Sequence, residues 1–288
     1  MDTIKSHLIE KTHLLKRNSI ELPKLEARLL LAKVFDKNLN WTYLDLEKKI
    51  SKKNILKYEK LIKKRIKRIP MAYLLGNKEF YSMLFKVDHN TLIPRPETET
   101  MIDEIKKKYK KNDKFSILDL GTGTGCILLT IIKEFKNAKG IGIDKFSKTL
   151  KVAKDNCKKF NLSKKVKFIN LDWNNNSFLK KILNANKEKF DLIVSNPPYL
   201  LKNEMNNLMP EVTYEPKESL YDNKDGLNFY KKIIPIISFL LSDNGSAFIE
   251  INPIKFKKIK KICFDNKICN FNFINDLSKK KRFILIEN

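Results

Sequence analysis

Residues 117–129 read ILDLGTGTGCILL: an apolar run, glycines at 121, 123 and 125, then apolar residues again. The pattern predicts a strand, a tight loop and a helix in direct succession. Glycines let a backbone pass close to a ligand, and a helix N-terminus offers free N–H groups. The dinucleotide fingerprint wants its third glycine at position 126, where Cys126 stands. The spacing here is G-x-G-x-G, led by Asp119, and the next strand candidate ends in Asp144. An acid there is suitably placed to grip ribose hydroxyls, so a nucleotide-like ligand is implied. A tight turn alone would also use such glycines; the two acids tip the reading towards a ligand.

The pattern around this loop sets the fold class. From about residue 114, short apolar strands alternate with helical stretches. The strand candidates are 116–120, 140–144, 166–170, 190–195, 246–251, about 270–275 and 281–287. Near-continuous apolar strands separated by helices predict an α/β architecture, a mostly parallel sheet covered on both faces. The last two segments are linked by only a short polar stretch, so a final antiparallel hairpin is expected. Residues 1–77 read instead as a helical domain. Leu25, Leu29 and Ala32, and again Leu61, Ile62 and Ile66, recur at helical spacing; Pro23 suits a first turn and Ser51 an N-cap. Pro70 ends that helix, and strand character follows. A hairpin-like connector is expected over 78–93, and the third domain over 94–288. "PETE" (96–99) opens a helix with Glu97 and Glu99 in its first turn.

Composition bounds the rest. The chain has 288 residues, 42% of them hydrophobic and 10% aromatic, enough for a real core. It lacks an apolar run of 18 residues, which argues against a membrane span. The first 18 residues contain acids and no long apolar centre, unlike a signal peptide. The four cysteines (126, 157, 263, 269) form no CxxC pair, and only three histidines are present. Reduced thiols in a cytoplasmic protein without a metal site are expected, with Cys263 and Cys269 in the core. The net charge of +26 raises nucleic-acid binding. Only six arginines contribute to it, however, and readers of base edges lean on arginine. A lysine-rich, asparagine-rich, glycine-poor chain fits a coding bias as well.

The second motif is VSNPPYL (194–200), where an apolar strand stops at Asn196-Pro197-Pro198-Tyr199. In an open sheet, ligands bind at the carboxyl ends of strands near the switch point. A planar amide or exocyclic nitrogen has its lone pair tied up in conjugation, and its NH2 has two donors that need partners once water is excluded. The Asn196 side-chain oxygen and the Pro197 carbonyl can accept one each. The prolines hold both residues extended, so the acceptors are fixed rather than mobile. That arrangement would act by positioning and preorganised electrostatics, with Tyr199 offering a flat face to the acceptor. Pro-Pro is also an ordinary strand stop, and Tyr199 an ordinary rim aromatic.

The glycine loop with its two acids resembles S-adenosylmethionine-dependent methyltransferases of the seven-stranded Rossmann-like class. The resemblance places Gly121, Thr122, Gly123, Thr124 and Gly125 beneath the amino-acid half of S-adenosyl-L-methionine and Asp144 on its ribose. It also puts Asp172 and Trp173 of NLDWNN near the adenine, and Asn196 beside the reacting methyl. NPPY resembles the amino-methyltransferases that act on adenine, guanine or glutamine nitrogens. EFYSMLFKV…LIPRPETE (79–99), the helical N-terminal domain and YEPKESLYDNKDGLNFYKKII (214–234) together resemble the release factor glutamine N5-methyltransferase family, often called HemK or PrmC. That family methylates the glutamine of the Gly-Gly-Gln loop of class 1 peptide chain release factors. By the resemblance, Asn196, Pro197, Pro198 and Tyr199 hold the acceptor glutamine, and Arg95, Pro96 and Glu97 shape the rim; a structural ion pair is the other reading of Arg95. It implies a helical domain that helps dock the factor, and a monomer that needs no stable nucleic-acid partner. The alternatives are an N-methyltransferase acting on nucleic acid or on a ribosomal protein glutamine, or a non-catalytic binder. A base-flipping enzyme would need a target-recognition segment, and none of sufficient size is left over. The chain departs from the family in lacking glycines near 252, around 222–223 and near 278, each of which removes freedom at a turn.

Overall fold

A computed structural model of the chain describes residues 3–44, 46–186, 188–201, 203–204, 208–222 and 225–288. The chain divides into two compact units. One runs up to Asn77 and also includes Met209–Tyr214; the other comprises Lys78–Leu208 and Glu215–Asn288. Among the described residues no helix is long and apolar enough to cross a membrane.

The first unit is helical: α1 (Ile4–Arg17), α2 (Pro23–Phe35), α3 (Trp41–Leu44), α4 (Lys52–Ile66) and α5 (Met71–Leu75). Thr3 and Ser6 form a reciprocal capping box on α1, Pro23 stands in the first turn of α2, and the Ser51 side chain caps α4. Leu8, Leu15, Leu30, Leu31, Tyr58 and Ile62 fill the core, where the Tyr58 hydroxyl donates to the Ala27 carbonyl at 2.8 Å. The stripe on α2 differs from Leu25-Leu29-Ala32. Because α2 packs on both α1 and α4, its apolar arc is wide; Ala27, Leu30, Leu31 and Ala32 are buried and Leu25 is exposed. The strand character expected after Pro70 gives way to α5. Pro70 serves as its N-cap, and Gly76 closes it in the left-handed region. Arg65, almost buried, reaches Glu26 at 2.6 Å and Glu211 at 2.9 Å, so the 209–214 segment is held to the helices by charge.

From Lys78 the second unit opens with a ribbon of β1 (Asn77–Phe80, its first residue belonging to the helical unit) and β2 (Met83–Lys86), turned by Tyr81 and Ser82, both at positive φ as a tight hairpin requires. Pro96–Thr98 is a 3-10 turn and Glu99–Lys108 the helix after it, so Glu97 precedes the helix proper; the Glu99 side chain accepts the Tyr81 N–H at 3.0 Å. The main sheet is built from β3 (Ser116–Leu120), β4 (Lys139–Asp144), β5 (Val166–Asn170), β6 (Phe190–Ser195), β7 (Leu241–Glu250), β8 (Phe271–Asn275) and β9 (Lys281–Glu287). Their order is β5-β4-β3-β6-β7-β9-β8. The first five run parallel, and β9 pairs antiparallel with both β7 and β8. This is the seven-stranded, Rossmann-like α/β class expected. Strand β7 begins at Leu241 rather than 246, because Leu241 pairs with Phe190 across an irregularity before regular register. Leu118 and Leu120 face one apolar cluster and Ile117 the other, so helices cover both faces.

Cys263 is buried, but Cys269, expected in the core, is exposed in the turn that precedes β8. The missing glycines have three outcomes. Asn252 sits in extended backbone and caps the turn Pro253–Lys255, so no glycine is needed there. Asn223 lies outside the described residues; its neighbour Asp222 accepts the Asn228 N–H at 3.0 Å. Near 278 the left-handed residue is Lys279, with φ of 59°, a conformation uncommon for a side chain of that kind.

The Arg65 cluster yields a prediction. Arg65→Met leaves Glu26 and Glu211 without their buried partner and should destabilise the helical unit by about 3 kcal/mol. Urea denaturation followed by circular dichroism measures it.

Candidate active site

Strand β3 ends at Leu120, and the chain turns through Gly121, Thr122, Gly123, Thr124 and Gly125 into the helix Cys126–Glu134. All three glycines have positive φ. The loop is fastened to its neighbours. Gly121 and Thr122 donate their N–H groups to the Ile143 carbonyl at 3.0 and 2.8 Å. The Thr124 carbonyl accepts from the Asn156 side chain at 2.9 Å. A Cβ on Gly121 would touch the Trp173 ring at 3.4 Å, whereas one on Gly123 would meet only the Gly121 carbonyl, at 4.0 Å, and fill the hollow. The backbone here makes a cradle that side chains would close.

Acids surround the cradle. Asp144, at the end of β4, accepts the Gly123 N–H at 3.1 Å and the Phe146 N–H at 3.0 Å. Its burial pushes its carboxyl above the ordinary range, against the pull of those N–H groups. Asp119 is fully buried in β3. It takes the Thr122 hydroxyl at 2.6 Å on Oδ2 and leaves Oδ1 buried without a hydrogen-bond partner among the described residues. Burial pushes it up to about 7, helped by the charge of Asp144. Asp172 follows β5; it accepts the Asn174 N–H at 2.8 Å and pairs with Lys145 at 3.2 Å. Trp173 packs edge-on against Phe229, with ring centres 5.2 Å apart.

A single cavity runs from this cradle to the end of β6. Gly121, Thr122, Gly123, Thr124, Asp144, Asp172, Trp173, Asn196, Pro198 and Arg95 all line it, together with Thr98, Phe146 and Phe229. Pro197 is buried, and neither it nor Tyr199 lines the cavity; the Tyr199 hydroxyl points to Glu250 Oε1 at 3.2 Å. The Asn196 amide nitrogen donates to Thr98 Oγ1 at 3.2 Å. Arg95 makes an ion pair with the buried Glu215 at 2.7 Å, and Glu215 also accepts the Ile93 N–H, so Arg95 is both a rim residue and a structural one. Lys255 donates to the Tyr199 carbonyl at 2.8 Å, in a space that exists because residue 226 is glycine.

Thr98 and Phe229 lie within PETE and the 214–234 segment but draw no role from them, and Glu250 and Lys255 lie in no motif. A faint signal was available for Glu250, an acid inside the apolar strand SAFIEI. Burial pushes its carboxyl up to about 7, while Thr98, Arg282 and Tyr199 pull it down.

Comparison with known proteins agrees with this geometry. The PrmC N-terminal domain family matches residues 8–76, and the family described as methyltransferase domain matches residues 111–277. A release factor glutamine methyltransferase of Caulobacter vibrioides is 32% identical over 272 residues, covering 94% of this chain and 91% of that protein. A bifunctional methyltransferase of Rickettsia typhi is 35% identical over 306 residues, and there the chain spans only 57% of the relative's length. Among solved structures, the hMettl16 catalytic domain in complex with MAT2A 3'UTR hairpin 1 shares the fold, with a TM-score of 0.59 at 12% identity, over 89% of each chain. These relatives imply a methyl donor of the S-adenosylmethionine type. The residues present fit one: a glycine cradle open at Gly123, a buried acceptor without a donor at Asp119, and a strand-end acid at Asp144.

Asp119 has a measurable signature. Its pKa is raised above the unfolded carboxylate value, so the folded state binds the extra proton below about 7. The stability this brings is present at acid pH and lost as pH rises through 7. Asp119→Asn lacks that loss and should gain roughly 2 kcal/mol on the parent between pH 5 and 8. Denaturant melts across that range provide the comparison.

Proposed function

This chain is a member of the release factor glutamine methyltransferase family, and we propose that it transfers a methyl group from S-adenosyl-L-methionine to the side-chain amide nitrogen (N5) of the glutamine in the Gly-Gly-Gln motif of class 1 peptide chain release factors. The supporting observation is that Asn196 shares one cavity with the Gly121–Gly125 cradle and Asp144.

When bound, S-adenosyl-L-methionine supplies an electrophilic methyl on a cationic sulfur. The Gly121–Gly125 backbone and the N-terminus of helix Cys126–Glu134 receive its amino-acid end, and Asp119 Oδ1 accepts from its ammonium. Asp144 accepts from the ribose hydroxyls with the lone pairs left over from Gly123 and Phe146. Asp172 and Trp173 border the adenine. Asn196 Oδ1 and the Pro197 carbonyl would each accept one N–H of the substrate carboxamide, Pro197, which does not line the cavity, being uncovered for it as substrate binds. They aim its nitrogen at the methyl and favour the geometry in which the lone pair leaves conjugation. The methyl would pass to the nitrogen as its bond to sulfur breaks, leaving the neutral thioether, and the nitrogen would then give up one proton to solvent. Pro198 and Arg95 bound the acceptor side chain, and Tyr199, which stands behind that wall with its hydroxyl on Glu250, would reach the acceptor only if its ring turns towards the cavity as substrate binds. In this reading the enzyme is a cytoplasmic monomer that needs no stable nucleic-acid partner, and residues 1–77 help to dock the factor.

The test is incubation with labelled S-adenosyl-L-methionine and either release factor or bulk nucleic acid, followed by mass spectrometry of the product. A gain of one methyl on the Gly-Gly-Gln glutamine is expected; label confined to nucleic acid would overturn the assignment. Asn196→Ala should lower kcat by at least a hundredfold, about 2.7 kcal/mol of barrier, and leave the calorimetric affinity for S-adenosyl-L-methionine within threefold.

A further inference from the structure

The carboxamide of Asn196 has two faces, and only one helps an NH2 acceptor. If Oδ1 points into the cavity it accepts from the substrate; if Nδ2 does, two donors meet and repel. A side-chain amide can flip between these at little steric cost, so something must choose. We infer that Thr98 and Glu250 are positioning residues that set the polarity of Asn196, fixing its oxygen as the face offered to the substrate amide. This inference rests on the glutamine-methylating reading above.

The argument is one of hydrogen-bond direction. Thr98 Oγ1 lies 2.7 Å from Glu250 Oε2, and both side chains are buried. Thr98 donates its single hydroxyl proton to Oε2, which accepts as a carboxylate or as the unprotonated oxygen of the acid, so that proton is committed to Glu250. Towards Asn196 the Thr98 oxygen can therefore only accept. The Asn196 atom 3.2 Å away must be the donor, Nδ2, and Oδ1 is left for the cavity. Glu250 is held in turn. Its other oxygen receives the Tyr199 hydroxyl, its backbone carbonyl receives the Tyr230 hydroxyl at 2.7 Å, and its backbone pairs with Phe283 on β9. Burial and the charge of Glu97 favour a protonated Glu250, while the nearby Arg282 favours the carboxylate. Arg282 is itself anchored to Asp276 at 3.0 Å. One acid at the end of β7 thus orients both ends of the tetrapeptide, Asn196 through Thr98 and Tyr199 directly.

Thr98→Val keeps the shape and removes the hydroxyl, and Thr98→Ser keeps the hydroxyl. With release factor as acceptor, Thr98→Val should lower kcat at least tenfold, about 1.4 kcal/mol, with KM for S-adenosyl-L-methionine unchanged, and Thr98→Ser should restore most of it. A Thr98→Ser enzyme as slow as Thr98→Val would reduce Thr98 to a packing role and overturn the inference. A second measurement needs no turnover. In the 15N-labelled parent, the side-chain NH2 that vanishes in Asn196→Asp should show nuclear Overhauser contacts to the Thr98 methyl group; their absence means the amide faces the other way and also overturns it. Should the parent methylate no release factor while these contacts are present, the functional reading fails and the polarity relay stands.

Discussion

Parallel pairing of β3 with β6 is the constraint on which the site depends. Leu120 lies opposite Ser195, and the Ser195 hydroxyl ties the two strand ends together through the Leu120 carbonyl at 2.7 Å. One strand releases the chain into the glycine loop and the other into Asn-Pro-Pro-Tyr. Their adjacency at the point where strand order reverses turns two motifs more than seventy residues apart into the two walls of one cavity. Each wall is rigid for its own reason. The loop is fastened to the Ile143 carbonyl, and the tetrapeptide is stiffened by two prolines and by Lys255 on its last carbonyl.

The interior of the site is unusual in its charges. Asp119 and Glu250 are both fully buried acids at strand ends, and burial pushes both up to about 7. Among the described residues, neither is compensated by a direct salt bridge. Each is held instead by a threonine hydroxyl, from Thr122 and Thr98 respectively. A buried carboxylate with incomplete partners is destabilising in the absence of ligand. Such groups are found where a site trades stability for readiness to bind.

Much of this architecture is legible in the sequence because it is local. The strands at 116–120, 166–170 and 281–287 stand where apolar periodicity puts them, and the short final linker does signal an antiparallel hairpin. Glycine spacing and strand-end acids likewise mark one side of the cavity. What the sequence hides is whatever depends on distant pairing. Thr98 and Glu250 are 152 residues apart, and although Thr98 lies within PETE, nothing in that motif points to Glu250. Helix α5 is hidden for a different reason: Pro70 reads as a stop, but a proline stands as easily before a helix as after one. The burial arc of α2 is hidden because it answers to two neighbouring helices, which periodicity within one segment cannot reveal.

The left-handed turns carry a last consequence. Ser19, Asp36, Arg68, Asn161, Lys267 and Lys279 all adopt positive φ, so this chain routinely does without glycine where a turn merely bends. Two of its few glycines stand where a side chain would collide or intrude: Gly226, where a Cβ would strike the Lys255 amine and the Tyr199 carbonyl, and Gly123, where it would fill the hollow of the cradle. In a polypeptide so sparing of its smallest residue, these two positions mark where the backbone must leave room, one behind the Asn-Pro-Pro-Tyr turn and one in the cavity itself.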